Sequence, residues 1–455
     1  MIRLVLLLLG APAVRSRWPW LLGFGLLCIG IALAVIGDAA DGVTVVVAEA
    51  FAWILVFDGL STLPVGEDAH GRAHRLHLIR GIGLIALGLL ILDLPWHNDL
   101  ANSVLFGLAF LIDGAARIAT ALVVRFRGWV WVVAGGAVEI GLAVLAFASW
   151  PISYEKTVPF CVGVLLLLMG WTVLRLALAL RQLPADGSIL ALPAFGRRCW
   201  YTHAAADMPA LPASPAAPVA EGKPPPLVLH VWTPLGSAAD PVRRPLIDRW
   251  IAAVDSKGRV STGHAALELA PDLYVSHYPR TEVERNSANF IRQLRATACN
   301  DVPGRFLPSY RYEVDTWFDA DARVTFRRFD EARLRAHWAA YSADDTYNLT
   351  RRNCSISAAV ALEAALEGSC GEGPFWRRLI RLMTSSDLWA AAALRHRAKA
   401  MTWTPGLLLD YARALHRVVE PLPVNWLGRL RGTLRWLRRS RAAAQAAKAA
   451  ETVPT

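Results

Sequence analysis

The stretch Tyr347-Asn-Leu-Thr-Arg-Arg-Asn-Cys-Ser-Ile-Ser-Ala-Ala-Val-Ala-Leu-Glu-Ala-Ala-Leu-Glu-Gly368 joins a polar loop to an apolar helix and puts Cys354 at the junction. Asn353 is a favoured N-cap residue, whose side-chain oxygen can accept from an amide of the first turn. Ala359, Leu362, Ala365 and Leu366 recur at helical spacing, and Gly368 closes the run as a C-cap. Cys354 then falls in the first helical turn, where unpaired N–H groups and the positive end of the dipole favour a thiolate. The plainer reading of such a cysteine is a small residue packed in a helix core. The rest of the chain has to decide between the two.

Hydrophobic residues make up 55% of the 455 residues, and the apolar excess lies in the first 181. Mean hydropathy is +0.35, high for a protein that lives wholly in water. The formal charge of +11 reads as cytoplasmic loops and lipid contact, and no nucleic-acid-binding motif accompanies it. The six cysteines are scattered, with no Cys-x-x-Cys and no Cys/His metal spacing. This argues against a disulfide framework or a zinc site, and no metal or cofactor is expected.

Working back from Cys354, residues 1–17 hold the short run Val5-Leu-Leu-Leu-Leu9 with Arg15 and Arg17 behind it, and read as an interfacial segment. Residues 18–181 read as a six-helix, all-α transmembrane bundle, with spans at about 18–37, 43–64, 76–95, 99–124, 128–149 and 157–181. They form three repeated helix pairs. The odd helices carry Gly25/Gly30, Gly83/Gly88 and Gly136/Gly141. The even ones carry Asp58-Gly59, Asp113-Gly114 and the degenerate Met169-Gly170. Small residues at matched positions let helices approach closely in lipid, and a homo-oligomer is left open. Arginines cluster at positions 3, 15, 17, 72, 75, 125, 127, 181, 197 and 198, and the alternate loops lack this excess. The positive-inside rule then puts both termini and the C-terminal part in the cytoplasm, where thiols stay reduced. Asp58, Asp113, Arg117 and Glu139 lie within the spans. Such residues mark a functional site by default, or else pair with one another to hold the bundle.

Phe110-Leu-Ile-Asp-Gly-Ala-Ala-Arg-Ile118, Gly128-Trp-Val-Trp131 and the glycine-rich pairs resemble the HdeD family of bacterial acid-resistance membrane proteins over residues 18–181. The resemblance implies a multi-pass inner-membrane protein linked to acid or general stress.

Residues 182–226 are rich in Pro and Ala and read as a tether. Residues 227–368 read as a soluble α+β domain with an antiparallel sheet. Strands are expected at 227–233, 250–255, 259–269, 273–278, 310–318 and 324–329, and helices at 286–298, 331–341 and from Cys354. Residues 369–455 read as a helical, basic extension: Trp376, Arg377, Arg378 and Arg381 share a helix face, and 426–450 is a basic helix. Such a face either lies on an anionic leaflet or packs onto the preceding domain.

His264 and His277 are expected on consecutive strands joined by a short turn, which brings them side by side. A thiolate nucleophile needs a base, and the base needs a group that fixes its tautomer. Each histidine also reads as an ordinary polar strand residue. Gly263-His264, Val275-Ser276-His277 and Arg352-Asn353-Cys354-Ser355, in that order, resemble the permuted NlpC/P60-type papain-like cysteine hydrolases, a group that includes lecithin:retinol-acyltransferase-like enzymes. The resemblance implies a papain-like fold with Cys354 as nucleophile, His264 as general base and acid, and His277 as the orienting residue. Oxyanion donors are sought at the Cys354 amide, Asn348, Tyr347 and Tyr341. The function expected is a membrane-anchored cysteine peptidase or amidase, with inner-membrane lipids around it and a peptide or lipid substrate. The alternatives are a lipid acyltransferase or thioesterase with the same triad, or a non-enzymatic membrane stress-resistance protein.

Overall fold

The computed structural model describes residues 1–41, 52–60 except 54 and 58, 72–92, 99–125, 128–148, 154–184, 187–192, 225–234, 253–254, 260–281, 292–400 and 402–421. These form two compact units. One gathers Met1–Ile29, Leu108–Val144 and Leu168–Pro421, and the other includes described parts of 30–107 and 145–167.

The N-terminal region is helical. After α1 (Ile2–Leu9) and α2 (Ala11–Arg15) come α3 (Trp18–Asp41), α4 (Arg72–Ile91), α5 (Asp99–Val124), α6 (Trp129–Ala148) and α7 (Tyr154–Gln182). Four of them hold stretches long and apolar enough to cross a membrane: Trp18–Gly37, Leu100–Val124, Trp129–Ala148 and Pro159–Gln182. In α4 the apolar stretch is shorter, Gly81–Leu90. The described residues between 52 and 60 are helical.

Glycines set the helix contacts. A Cβ on Gly114 would lie 2.7 Å from the Gly136 carbonyl oxygen, and one on Gly170 would lie 2.8 Å from that of Gly25. In the other unit, a Cβ on Gly59 would meet the Gly81 carbonyl oxygen at 2.7 Å. The matched glycines are therefore Gly25, Gly81 and Gly136, spaced 56 and 55 residues apart. The expectation had Gly83 as the repeat partner. A Cβ on Gly83, Gly30 or Gly141 would meet nothing within 4 Å. Helix rotation, invisible in a one-dimensional Gly-x4-Gly spacing, decides which glycine faces a neighbour.

The short first helix departs from expectation. Leu4 to Leu9 are all buried, and the Gly368 and Cys370 amides donate to the Leu7 and Leu8 carbonyls at 2.9 and 2.8 Å. Eight residues make about 12 Å of helix, too short for a bilayer. Seated in the core of the C-terminal domain, each leucine contributes roughly 1.5–3 kcal/mol.

The C-terminal domain is built on a four-stranded antiparallel sheet in the order β5–β4–β1–β8, with β1 Leu227–Trp232, β4 His264–Leu269, β5 Leu273–Val275 and β8 Ala322–Phe326. The strands β2 (Ala253–Val254) and β3 (Val260–Ser261) pair antiparallel. Gly263, at φ +71, separates β3 from β4, so the single strand expected at 259–269 is broken. A Cβ there would sit 2.3 Å from the Trp232 carbonyl oxygen. A second sheet orders β6 (His277–Pro279), β7 (Val302–Phe306) and β9 (Thr346–Tyr347). Two further helices are α8 (Tyr310–Thr316) and α9 (Glu331–Ser342). The segment 310–318 was expected as a strand because its apolar residues nearly alternate. It is a helix because Ser309 caps it, accepting from the Tyr312 amide at 3.2 Å.

The helix α10 (Cys354–Leu366) is buried along its whole length and packs on β4. The helices α11 (Phe375–Met383), α12 (Ser386–Ala400) and α13 (Pro405–Val419) follow, and α13 lies against β1 and β8. The domain therefore continues to Val419 rather than ending at 368. Ile189, Leu190 and Leu192, inside the expected tether, are buried as well. Glu367 holds this turn, accepting from the Ser188 hydroxyl at 2.5 Å and the Ile189 amide at 2.8 Å. Asp58, residues 286–291 of the helix expected at 286–298, the tether at 193–224 and the basic segment 426–450 lie outside the described residues; of 292–298 only 292 and 293 are α-helical, and a 3-10 turn follows at Ala298–Asn300.

Candidate active site

Cys354 opens α10 as expected. Asn353 caps it, its side-chain oxygen accepting from the Ile356 amide at 2.8 Å. The amide end of Asn353 donates to the carbonyls of Leu349 and Trp403 at 2.8 and 3.2 Å, which fixes the loop before the helix. The cysteine is 7% exposed and faces a cavity of about 240 Å³. Cys28, Cys161, Cys299, Cys354 and Cys370 are free thiols.

His264, the first residue of β4, lies beside the thiol. Its Nε2 is 3.0 Å from the Ser276 hydroxyl and 3.2 Å from Glu313 Oε1, and Ser276 donates to the same carboxylate oxygen at 2.6 Å. Among the described residues, buried Nδ1 has no hydrogen-bond partner apart from the Cys354 thiol. Glu313 is 0% exposed.

The electrostatics follow from this stacking of charges. Burial opposes a charged His264, but the negative charges of Glu313 and Cys354 outweigh it and push the imidazole up to about 10. Burial also opposes the Cys354 thiolate. The His264 charge, a hydrogen bond from the ring, the Ser355 hydroxyl and the Ala265 amide overcome it and hold the thiol below its ordinary value. Glu313 is likewise held below the usual carboxylate range, against burial, by the His264 charge and by hydrogen bonds from His264 and Ser276. The ionised state is a row of three charges: thiolate, imidazolium, carboxylate.

His277 is not the residue that holds His264. Its Nδ1 meets the Tyr341 hydroxyl at 3.0 Å and its Nε2 the Asp345 carbonyl at 3.2 Å. Burial pushes it down to about 4, so it is neutral. The reason is register. Leu267 pairs with Val275 and Leu269 with Leu273. Continuing that register puts Ser276 on the His264 face and His277 on the opposite one, because side chains alternate. The chain then leaves the first sheet at Ser276, and His277 pairs with Phe306 in the second.

Asn348 does not reach Cys354. Its amide donates to Asp301 at 2.9 Å and its oxygen accepts from the Thr350 and Arg351 amides at 3.1 Å, so it organises the loop. Tyr347 does line the cavity with Cys354. Tyr341 is buried, with the Arg352 guanidinium 4.0 Å from its ring centroid. In the helical region Arg117 binds Asp113 at 2.8 Å and Glu139 at 3.2 Å, so three of the four polar candidates form one ion network across α5 and α6. The sequence does not single out Glu313, because the near-alternation of apolar residues in its segment suggests a strand. The Ser309 cap was the available signal, since it turns 310–316 into a helix.

No protein-family model, curated protein or solved structure matches this chain. The fold and the site therefore have to carry the functional reading by themselves.

Proposed function

We propose that this protein is a membrane-anchored cysteine hydrolase that works through an acyl-thioester on Cys354, with His264 as general base and acid and Glu313 as the orienting group. The observation that carries this reading is the buried Cys354–His264–Glu313 row, with Glu313 3.2 Å from His264 Nε2 and the thiol at the mouth of a cavity. The thiolate attacks a carbonyl carbon. The amide or ester bond breaks, and the leaving group takes the proton from His264. Water then gives a proton to His264 and its hydroxyl to the carbonyl carbon, and the thiolate departs. The Cys354 amide, at a helix start, is the candidate oxyanion donor. His277 takes a structural place in this scheme, locking Tyr341 and the Asp345 turn.

The remaining features fit one setting. The order Gly263-His264, Val275-Ser276-His277, Asn353-Cys354 supports a permuted papain-like domain related to NlpC/P60 hydrolases, with Glu313 in place of His277 as the orienting group. The recurrence of glycine contacts at 55- and 56-residue spacing supports a six-helix bundle of three pairs, as in HdeD proteins. The arginine distribution supports a bacterial inner membrane with both termini and the catalytic domain cytoplasmic, and the HdeD likeness supports a role in acid or general stress.

The test is iodoacetamide labelling of the full-length protein in detergent, read by mass spectrometry at each cysteine. Cys354 should label at slightly acid pH faster than the exposed Cys299 and the buried Cys370, whose thiol burial pushes up. His264→Ala should abolish that advantage. Equal labelling of Cys354 and Cys299 at acid pH, unchanged by His264→Ala, would sink the proposal.

A further inference from the structure

The sheet face turned away from α10 is polar. The register sets Trp232 opposite His264, His230 opposite Ala266 and Glu268 opposite Tyr274, and residues opposite one another share a face. Ser276, two residues after Tyr274, joins them. Helix α8 covers this face. Its Tyr310 ring stacks on His230 at 3.9 Å, and Glu313, one turn later, reaches His264 and Ser276 through Oε1. Ala266, small and fully buried, leaves room between His230 and the Tyr274 strand. The Tyr274 hydroxyl, Glu313 Oε2 and His230 Nδ1 are buried here with no hydrogen-bond partner among the described residues. Groups of this kind are costly to bury unpaired.

Their chemistry is complementary. His230 Nε2 lies 2.8 Å from Glu268 Oε2 and so carries the ring proton, which makes Nδ1 an acceptor. Burial holds that imidazole below its ordinary value, so it is neutral at neutral pH. The phenol is then the one donor among the three atoms. Of the two acceptors, the carboxylate is charged and makes the stronger bond. We propose that Tyr274 is a positioning residue for Glu313: its phenol donates to Oε2, directly or through one water, while His264 and Ser276 hold Oε1. This rests on the Cys354–His264–Glu313 reading above and adds the residue that keeps its carboxylate ionised and aimed. Tied at both oxygens, Glu313 cannot turn away from His264. Burial and then the Glu313 charge push the Tyr274 phenol up, so it keeps its proton and stays a donor. Among the described residues, the titratable groups around Glu313 are His264 of β4 with Cys354 beyond it, Tyr274 of β5 and Tyr310 of α8. Behind them lie His230 and Glu268, and Arg323 of β8, whose guanidinium donates to the Tyr310 hydroxyl at 2.8 Å. Removing the Tyr274 hydroxyl leaves all the other charges in place.

The experiment follows iodoacetamide labelling of Cys354 against pH in the full-length protein in detergent. In Tyr274→Phe the ring stays and the donor goes, so Glu313 takes a proton at higher pH and the thiolate is lost with it. The acid limb of the labelling profile should move up by about one pH unit, the scale of a hydrogen bond to a charged group. In a Glu313→Gln background the same change should leave the limb where it stands, because no carboxylate remains to be held; a packing role would shift both backgrounds alike. If Tyr274→Phe does not fold, 2,3-difluorotyrosine at position 274 keeps the shape and makes a stronger donor, and the limb should move down instead. An unmoved limb in the folded variant, or an equal shift in both backgrounds, overturns the role of Tyr274. If wild-type Cys354 still labels faster than Cys299 at acid pH, the Cys354–His264–Glu313 row then stands without it. Wild-type Cys354 that labels no faster than Cys299 overturns both.

Discussion

Replacing Glu313 by Gln removes one charge while keeping the shape and the hydrogen bonds around it. In the wild type the carboxylate is fully buried and lies 3.2 Å from His264 Nε2. At an effective dielectric constant near 20, two unit charges at that separation interact by about 5 kcal/mol. The rise of His264 from 6.5 to about 10 corresponds to about 5 kcal/mol as well, shared between Glu313 and Cys354. Losing Glu313 should therefore drop the imidazole by roughly two pKa units or more, because burial alone pushes it down. The thiol loses its counter-charge with it. Since the folded value of His264 lies above the unfolded one, the stability it contributes is complete below 6.5 and is lost as pH rises through about 10. Cys354 is the mirror case: depressed below 9.0, it contributes fully above that value and loses the contribution as pH falls through its folded value. In the wild type, iodoacetamide labelling of Cys354 should thus run level from the depressed thiol value up to about 10. In Glu313→Gln it should be lower at slightly acid to neutral pH and rise only as the thiol itself ionises. Labelling at the wild-type rate at pH 6, in a variant that melts as the wild type does, would refute the role given to Glu313.

Three further outcomes follow from buried groups and close helices. His337 is 1% exposed, neither ring nitrogen has a hydrogen-bond partner among the described residues, and burial pushes it down to about 4. The neutral ring therefore contributes fully above 6.5 and loses up to about 3 kcal/mol as pH falls through 4. His337→Phe should accordingly raise the melting temperature more at pH 5 than at pH 8, and equal shifts would contradict this. Arg395 meets both carboxylate oxygens of Glu363 at 2.6 and 2.7 Å, with Tyr411 donating to the same group at 2.8 Å. Glu363→Met should cost about 3–5 kcal/mol by stranding a buried guanidinium, and Glu363→Met/Arg395→Met should recover much of it; thermal unfolding of the single and double variants tests this. Gly114→Leu should destabilise by about 1–3 kcal/mol because its Cβ meets the Gly136 carbonyl oxygen at 2.7 Å. Gly141→Leu, with open space at its Cβ, should cost little, and equal losses in thermal unfolding would remove the glycine-contact account.

Local chemistry was legible without coordinates wherever one segment settles the matter. The apolar helices α3, α5, α6 and α7, the Asn353 cap, the position of Cys354 in the first turn of α10 and the antiparallel sheet all follow from periodicity, capping and turn residues. The pairing of Asp113, Arg117 and Glu139 was readable for a similar reason: charges in an apolar segment need one another, and residues 113 and 117 are one turn apart. What surrounds the cysteine was not readable. Whether Ser276 or His277 faces His264 depends on a strand register that a single step reverses. Glu313 reaches the site from a helix, 41 residues before Cys354, and its segment alternates well enough to pass for a strand. Residues 1–17 look interfacial by composition, yet Leu4 to Leu9 are core because Gly368 and Cys370 sit across from them. The residues near Cys354 in sequence thus determine what kind of group it is. Packing between distant segments decides its charge, its partners and the apolar cavity it faces, because charge and shape complementarity are properties of neighbours in space.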